Sequence, residues 1–228
     1  NRSDAPDDLI PQFDYIRKAV RAFNLPSIEL INYEADDLIA TYKVEAKKKK
    51  IKVTIVSSDK DLMQLVDKDT FMLDTMKDRL IGIEQVKEKF GVPPEKVVDV
   101  QSLAGDSVDN IPGVPGIGIK TAAELINKFG SLDKLLEKAE TIKQPKRRQT
   151  LLDNKDNALI SRKLVTLKQN VPLKEKIDDF ILKPLDKTKI FDFLDEMEFS
   201  KIKKRIEQTY GKSTSLEDTA KKSELKVS

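Results

Sequence analysis

The sequence predicts an α/β fold in two parts. A mostly parallel, Rossmann-like sheet core spans residues 1–95, an all-helical subdomain spans 96–210, and 211–228 form a flexible linker toward a following domain. Three observations carry this prediction. Lys52-Val-Thr-Ile-Val-Ser57 is a β-branched run, nearly all apolar in its centre, as a strand covered on both faces would be. Strand and helix candidates alternate around it. After Gly118 the apolar spacing becomes wholly helical.

In chain order, Leu9, Phe13, Ile16, Val20 and Phe23 step by four and three, which predicts a helix over Asp7–Phe23 with Pro11 in its first turn. Arg17, Lys18 and Arg21 read as its solvated face. Ser27–Ile31 is a short strand candidate. Tyr33-Glu-Ala-Asp-Asp37 opens a helix through Leu38, Ile39, Tyr42 and Ala46 that ends in Lys47–Lys50, the polarity a helix dipole favours. Dipole pairing accounts for the lysines. For Glu34, Asp36 and Asp37 a cap and a functional cluster both stay open, because three acids in four residues repel more than a cap requires.

The strand at 52–57 runs into Ser58-Asp59-Lys60-Asp61. Asp59 and Asp61 share a face if the backbone stays extended, at the carboxyl end of a central strand where open sheets bind ligands. An N-cap would explain one of them but not both. Leu62–Val66 reads as a short helix, and Thr70–Asp74 with Arg79–Ile83 as a hairpin. Glu84–Phe90 is a helix ended by Gly91, and Pro93-Pro94 starts the next, through Val97, Val98 and Leu103.

There the chain combines two devices. Asp106 and Asp109, three residues apart, are expected on one side of a helical turn. Gly116-Ile117-Gly118 then opens straight into an amphipathic helix carrying Ala122, Leu125, Ile126 and Phe129. The glycines permit a tight turn and close approach of a ligand, and the helix directs unpaired N–H groups toward it. No Gly-Lys-Ser/Thr triplet follows, so this is no nucleotide-cradling loop. It reads as a helix-hairpin-helix gripping a nucleic-acid phosphate without reading bases. Ser131 caps a helix through Leu132, Leu135, Leu136 and Ala139. One or two helices follow over 145–168 with a basic cluster at Lys146–Arg148, and Ile190, Phe193, Leu194 and Met197 mark another.

Composition narrows the chemistry. Of 228 residues, 36% are charged and 39% hydrophobic, with a net charge of only +3, so nucleic-acid binding is permitted if the charges are segregated. No Cys and no His are present, which removes disulfides, a Ser-His-Asp triad and ordinary zinc chemistry. Any metal must sit among oxygen ligands, which favours Mg²⁺ or Mn²⁺. No apolar run of transmembrane length and no signal peptide are visible, so the expected compartment is cytoplasmic. The three acidic clusters (Glu34, Asp36, Asp37; Asp59, Asp61; Asp106, Asp109) would be unstable together unless cations neutralise them. Two divalent ions about 4 Å apart would do so and form a clamp for phosphodiester hydrolysis.

Tyr33-Glu-Ala-Asp-Asp37, Ser58-Asp-Lys-Asp61 and Gly105-Asp-Ser-Val-Asp-Asn-Ile-Pro-Gly-Val-Pro-Gly-Ile-Gly118 resemble the signature blocks of the 5′→3′ exonuclease domain of bacterial DNA polymerase I, similar to the flap endonucleases and phage 5′-nucleases. The resemblance runs in order from about Asn1 to about Tyr210. It implies a PIN-like core, a helix-hairpin-helix of the H3TH type, and structure-selective hydrolysis of DNA near 5′ ends in primer removal and repair. By the same resemblance Glu34, Asp36, Asp59, Asp61 and Asp109 match metal ligands, Asp37 a ligand or its support, and Asp106 a further acid of the site. Gly113, Gly116, Ile117, Gly118, Lys120 and Thr121 match the DNA grip, which also binds a monovalent cation such as K⁺ through carbonyls.

Members of that family begin with a strand carrying an aspartate ligand, a second aspartate and a basic arch that threads the 5′ end. Asn1-Arg2 resembles the tail of that arch, so this chain alone is expected to be a weak nuclease or inactive. The polar stretch 211–228 suits a monomeric, nucleoid-associated parent in which polymerase domains follow. Three rival readings are weighed. A non-catalytic duplex-binding module would make the acids caps and solvating groups. A PIN-like RNA nuclease generally lacks the helix-hairpin-helix, and a pure scaffold leaves three acidic clusters at element ends unexplained.

Overall fold

The computed structural model describes residues 6–211. Apart from Gly211, the linker stretch 211–228 lies outside the described residues, as do residues 1–5. Helix α1 (Gln12–Ala22) starts five residues later than expected, because Pro11 takes the N-cap position and the chain before it only turns. After it come α2 (Ala35–Lys48), β1 (Val53–Val56), a 3₁₀ turn (Asp61–Leu65), β2 (Thr70–Asp74) and β3 (Arg79–Ile81). Helices α3 (Ile83–Phe90), α4 (Val97–Ala104), α5 (Ile119–Phe129), α6 (Leu132–Glu137), α7 (Pro145–Asp153), α8 (Lys155–Val165), α9 (Lys187–Glu196) and α10 (Ser200–Tyr210) complete the order.

The sheet has three strands in the order β1-β2-β3. β1 and β2 are parallel, with Ile55 opposite Met72, and β2 and β3 are antiparallel, with Leu73 opposite Leu80. β1 is therefore an edge strand of the described sheet rather than a central one. Ile55 is buried but Val56 is 63% exposed, so the strand is not covered on both faces. Ser27–Ile31 does not become a strand. It finds no ladder partner among the described residues, and Ile31 is left 85% exposed.

The contacts divide the chain into two compact units. One comprises Leu30–Ile177. Its apolar core runs from Ala40 and Ile55 through Met72, Phe90 and Leu103 to Ile126, Leu135 and Leu151. A single core thus passes through residue 95, where the sequence reading divides the chain. Within it α4 packs against both α5 and α8. The other unit comprises, among the described residues, 6–29 and 178–211. There Ala22 of α1 joins Ile190, Phe191, Phe193 and Leu194 of α9 in a small separate core, and Lys18 pairs with Glu196. Among the described residues no helix is long and apolar enough to cross a membrane.

Candidate metal centre and DNA-facing hairpin

The parallel β1–β2 pairing needs a crossover, and that crossover carries Asp59 and Asp61. Asp59 lies just past β1. Its N–H donates to Ser57 Oγ (3.0 Å), and its Oδ1 accepts the N–H of Asp61 (2.9 Å), which starts the 3₁₀ turn. The pair is therefore held in a tight turn, not in the extended backbone the spacing suggested.

Glu34, Asp36 and Asp37 open α2. Glu34 occupies the N-cap position in extended backbone, yet its side chain caps nothing. Its carboxylate is thus not explained by helix capping. Asp37 Oδ1 accepts the N–H of Lys168 (2.8 Å), and Lys168 Nζ lies 5.0 Å from the centre of the Tyr33 ring. Thr41 Oγ1 donates to the Asp37 carbonyl (2.8 Å) and accepts the N–H of Val171 (3.1 Å). The segment after α8 thereby straps down the start of α2, with Asp37 as its fastening point.

The two blocks meet. Burial, then repulsion from Asp59, Glu34, Asp61 and Asp37, pushes the Asp36 carboxyl up to about 6. Burial also raises Asp61, against a lowering hydrogen bond from Gln101, with further repulsion from Asp59 and Asp106. A half-buried cluster in which acids outnumber cations has this signature, the field of Lys60 offsetting only part of the repulsion at Asp61. Among the described residues no group of three or more is arranged to hold a metal ion.

Asp106 and Asp109 do not share a helical turn. α4 stops at Ala104 because Gly105 takes φ +69°, and a Cβ there would lie 2.7 Å from the Ile111 carbonyl oxygen. Asp106 instead exchanges both backbone hydrogen bonds with Ile111 (2.9 and 2.7 Å) across a turn that holds Asp109. Lys60 Nζ donates to the Asp106 carboxylate. Burial pushes Asp106 up, but Lys60 and the N–H of Val108 outweigh it and hold it below the usual range. The Lys60 ammonium is raised, first by that hydrogen bond, against burial, and further by the fields of Asp106, Asp61 and Asp109. All three blocks thus belong to one electrostatic neighbourhood, with Lys60 between the second and the third.

In the hairpin, Gly116 has φ +75° with open space where a Cβ would stand. Gly118 lies in extended backbone (φ −87°) and also meets nothing, so neither turn geometry nor packing requires a glycine there. Two of the expected grip residues pack against the protein. Gly113 donates its N–H to Ser161 Oγ (2.9 Å), and a Cβ on it would lie 2.4 Å from the Gly105 nitrogen. The Ile117 side chain is buried in the core. Lys120 is exposed and Thr121 half-buried in the first turn of α5. A cleft of about 350 Å³ beside the hairpin is lined by Gly116, Gln144, Lys146, Arg147 and Thr150. Another of about 490 Å³ is lined by Lys120 and by Lys89 of α3. The Lys89 ammonium is lowered by burial and by Lys60 and Lys77.

Sequence reasoning missed Lys60, Lys89 and Gln101. Gln101 was legible as a polar residue on the apolar face of Val97, Val100 and Ala104; the two lysines carried no such signal.

Comparison with known proteins divides the chain at residues 91/92, within the larger compact unit. Residues 1–91 match the 5′-3′ exonuclease N-terminal resolvase-like domain, and 92–188 the 5′-3′ exonuclease C-terminal SAM fold. A DNA polymerase I of Rhizobium leguminosarum is 56% identical over 206 residues, covering 90% of this chain and 20% of that protein. The chain thus spans one fifth of that relative's length. A 5′-3′ exonuclease of Aquifex aeolicus is 35% identical, covering 92% of this chain and 71% of that one. Among solved structures, the T5 D15 protein co-crystallised with metal ions aligns with a TM-score of 0.64 at 23% identity, over 72% of this chain and 64% of that one. The catalytic core of Rad2 in complex with DNA substrate aligns at 0.55 and 15%, over 85% and 65%. These two likenesses concern the fold alone.

Proposed function

The chain belongs to the 5′-3′ exonuclease family, and from that premise we propose that it is the 5′-nuclease region of a DNA polymerase I. In this reading residues 1–95 form the catalytic part and 96–210 the DNA grip, a division supported by the family matches meeting at 91/92. The reaction is hydrolysis of DNA phosphodiesters near 5′ ends, at flaps, nicks and branches, in primer removal and repair. The parent works as a cytoplasmic, nucleoid-associated monomer.

One observation carries the proposal: acids from separate chain blocks converge, so that Asp36 is driven up to about 6 by burial and by four neighbouring carboxylates. All-oxygen donors and an excess of negative charge that Lys60 only partly offsets fit Mg²⁺ or Mn²⁺, two in the complete site. Glu34, Asp36, Asp59, Asp61 and Asp109 would hold them. When bound, such ions supply water activation and stabilisation of the leaving oxygen. Asp37 holds the start of α2 in place, and Lys60 fixes Asp106 beside the cluster. Gly116, Gly118, Lys120 and Thr121, with Lys146 and Arg147 across the cleft, take the phosphate backbone of the duplex, and the hairpin carbonyls would hold a K⁺ ion.

Calorimetric titration of Mn²⁺ into the chain, beside Asp59→Asn/Asp61→Asn, tests the centre. Binding that the double variant loses is expected. Equal binding in both would overturn the assignment. A second reading, a non-catalytic duplex-binding module, is favoured by the Lys60 ammonium already pairing with Asp106. It predicts that divalent ions leave stability unchanged.

A further inference from the structure

Two glutamines hydrogen-bond to Asp61, Gln64 at its backbone carbonyl and Gln101 at its carboxylate, and their environments differ. Gln64 is fully engaged. Its Nε2 donates to the carbonyls of Asp61 and Val165 (2.9 Å each), and its Oε1 accepts the N–H of Leu167 (3.2 Å). Gln101, on α4, is 4% exposed among Val97, Val100 and Leu103, which are wholly buried. Its Nε2 donates to Asp61 Oδ1, while its Oε1 is buried with no hydrogen-bond partner among the described residues.

That half-satisfied amide is informative. A buried carbonyl without a donor destabilises a fold, and an apolar side chain of the same length would fill the position without that cost. Turning the amide over offers no relief, since it would aim oxygen lone pairs at a carboxylate and bury an unpaired NH₂. The orientation of Gln101 is therefore dictated by Asp61, whose carboxylate it holds at the expense of its own buried carbonyl. Asp61 is fastened at three points: its N–H by Asp59, its carbonyl by Gln64 and its Oδ1 by Gln101. Its Oδ2 accepts no hydrogen bond among the described residues.

We propose that Gln101 is the positioning residue of Asp61, holding Oδ1 from the core side so that the other carboxylate oxygen is presented to a divalent cation. This rests on the reading of the acid cluster as a metal centre. Groups that hold a ligand's second oxygen commonly alter metal affinity by ten- to a hundredfold when removed.

The test uses the whole chain and Gln101→Met, which keeps length and apolar bulk but has neither donor nor orphaned carbonyl. The thermal midpoint is expected to change little, because the lost hydrogen bond to Asp61 offsets the removed orphan carbonyl, while the Mn²⁺ dissociation constant increases about tenfold. In an Asp61→Asn background the same substitution should change Mn²⁺ binding no further. Crystal structures of both proteins should show the Asp61 carboxylate rotated in the variant. A folded variant that binds Mn²⁺ as tightly as the parent sequence, or an Asp61 side chain that keeps its orientation, overturns the proposal. If the unsubstituted chain binds no Mn²⁺, the metal reading fails, and the orientation of Asp61 in the two crystal structures still decides the role of Gln101. Gln101→Leu serves for the same measurements if the methionine variant does not fold.

Discussion

Lys60 and Asp106, 46 residues apart, form an ion pair that joins the crossover after β1 to the turn after α4. The Asp106 side chain is 7% exposed, so this lysine compensates a charge the fold has almost removed from water. The sequence block Ser58–Asp61 draws attention to its aspartates, yet the lysine between them makes the contact that closes the site.

Replacing Lys60 by Met should therefore destabilise the protein. Breaking a buried pair costs more than the pair contributes, and Lys60 itself is a third exposed, so a loss of about 1–3 kcal/mol is expected. Urea unfolding of the two proteins measures it. A change within a few tenths of a kcal/mol would mean that solvent reaches Asp106 as readily as the lysine does.

Asp36 should behave in the opposite sense. Its ionised form is opposed by burial and by four acids, so Asp36→Asn removes a strained charge from the metal-free protein. Allowing for screening of a half-exposed carboxylate, it should gain about 1 kcal/mol at neutral pH without divalent ions. Adding Mn²⁺ should raise the midpoint of the unsubstituted chain more than that of the variant. Equal shifts would remove Asp36 from the cation site.

Much of this arrangement is legible in the residues. Strand β1, the hairpin strands, and the helices ended by Gly91 and Gly130 or capped by Ser131 follow from apolar spacing and local chemistry. What fails is instructive. Ser27–Ile31 has strand-like residues, but a strand is stabilised by a neighbour that sequence cannot supply. The spacing of Asp106 and Asp109 suggests a helical turn, but Gly105, at φ +69°, ends α4 at Ala104, before either aspartate. α10 goes unread because Ile202, Ile206 and Tyr210 are submerged among Lys201, Lys203, Lys204 and Arg205. The acid blocks are visible singly, but their convergence and the role of Gln101 depend on packing between elements distant in sequence.

The glycines of the hairpin region should separate folding from binding. Gly118→Ala meets open space in a backbone conformation any residue adopts, so stability should stay within about 0.5 kcal/mol. Duplex affinity should fall, because the methyl group stands where a phosphate approaches. Gly113→Ala faces φ +58° and backbone atoms at 2.4 Å, and should lose about 3 kcal/mol or more. Fluorescence anisotropy with a nicked duplex, beside thermal melts, distinguishes the two. Unchanged affinity in Gly118→Ala would place the duplex elsewhere.

The basic side of the adjoining cleft has a separate readout. Lys146 and Arg147 stand in the first turn of α7, which contains no acid, and neither has an ion pair among the described residues. Like charges at the positive end of a helix are locally unfavourable, which an anionic backbone would relieve. Each substitution to Ala should weaken duplex binding and reduce the slope of log affinity against log salt by about 1. A loss of affinity with an unchanged slope would mean that they do not meet phosphates.

Acid sensitivity should trace to Asp67, outside the proposed centre. Burial alone would push its carboxyl up, but Lys43 (2.8 Å) and the N–H of Asp69 (2.9 Å) outweigh it and hold it at about 2. Because the folded value lies below the ordinary aspartate value of 3.8, the stabilisation is fully present above 3.8 and is lost as pH falls toward about 2. Asp67→Asn should be less stable by about 1 kcal/mol at neutral pH, after screening, and should lose the corresponding slope of unfolding free energy in that window. Lys43 projects from α2, whose first turn carries Asp36 and Asp37, and Asp67 lies just before β2. The pair therefore ties an acid-bearing helix to the sheet by a contact that involves none of the candidate ligands. Should Asp67→Asn keep the unsubstituted slope, that acid lability comes from other carboxylates, with those of the cluster next to be substituted.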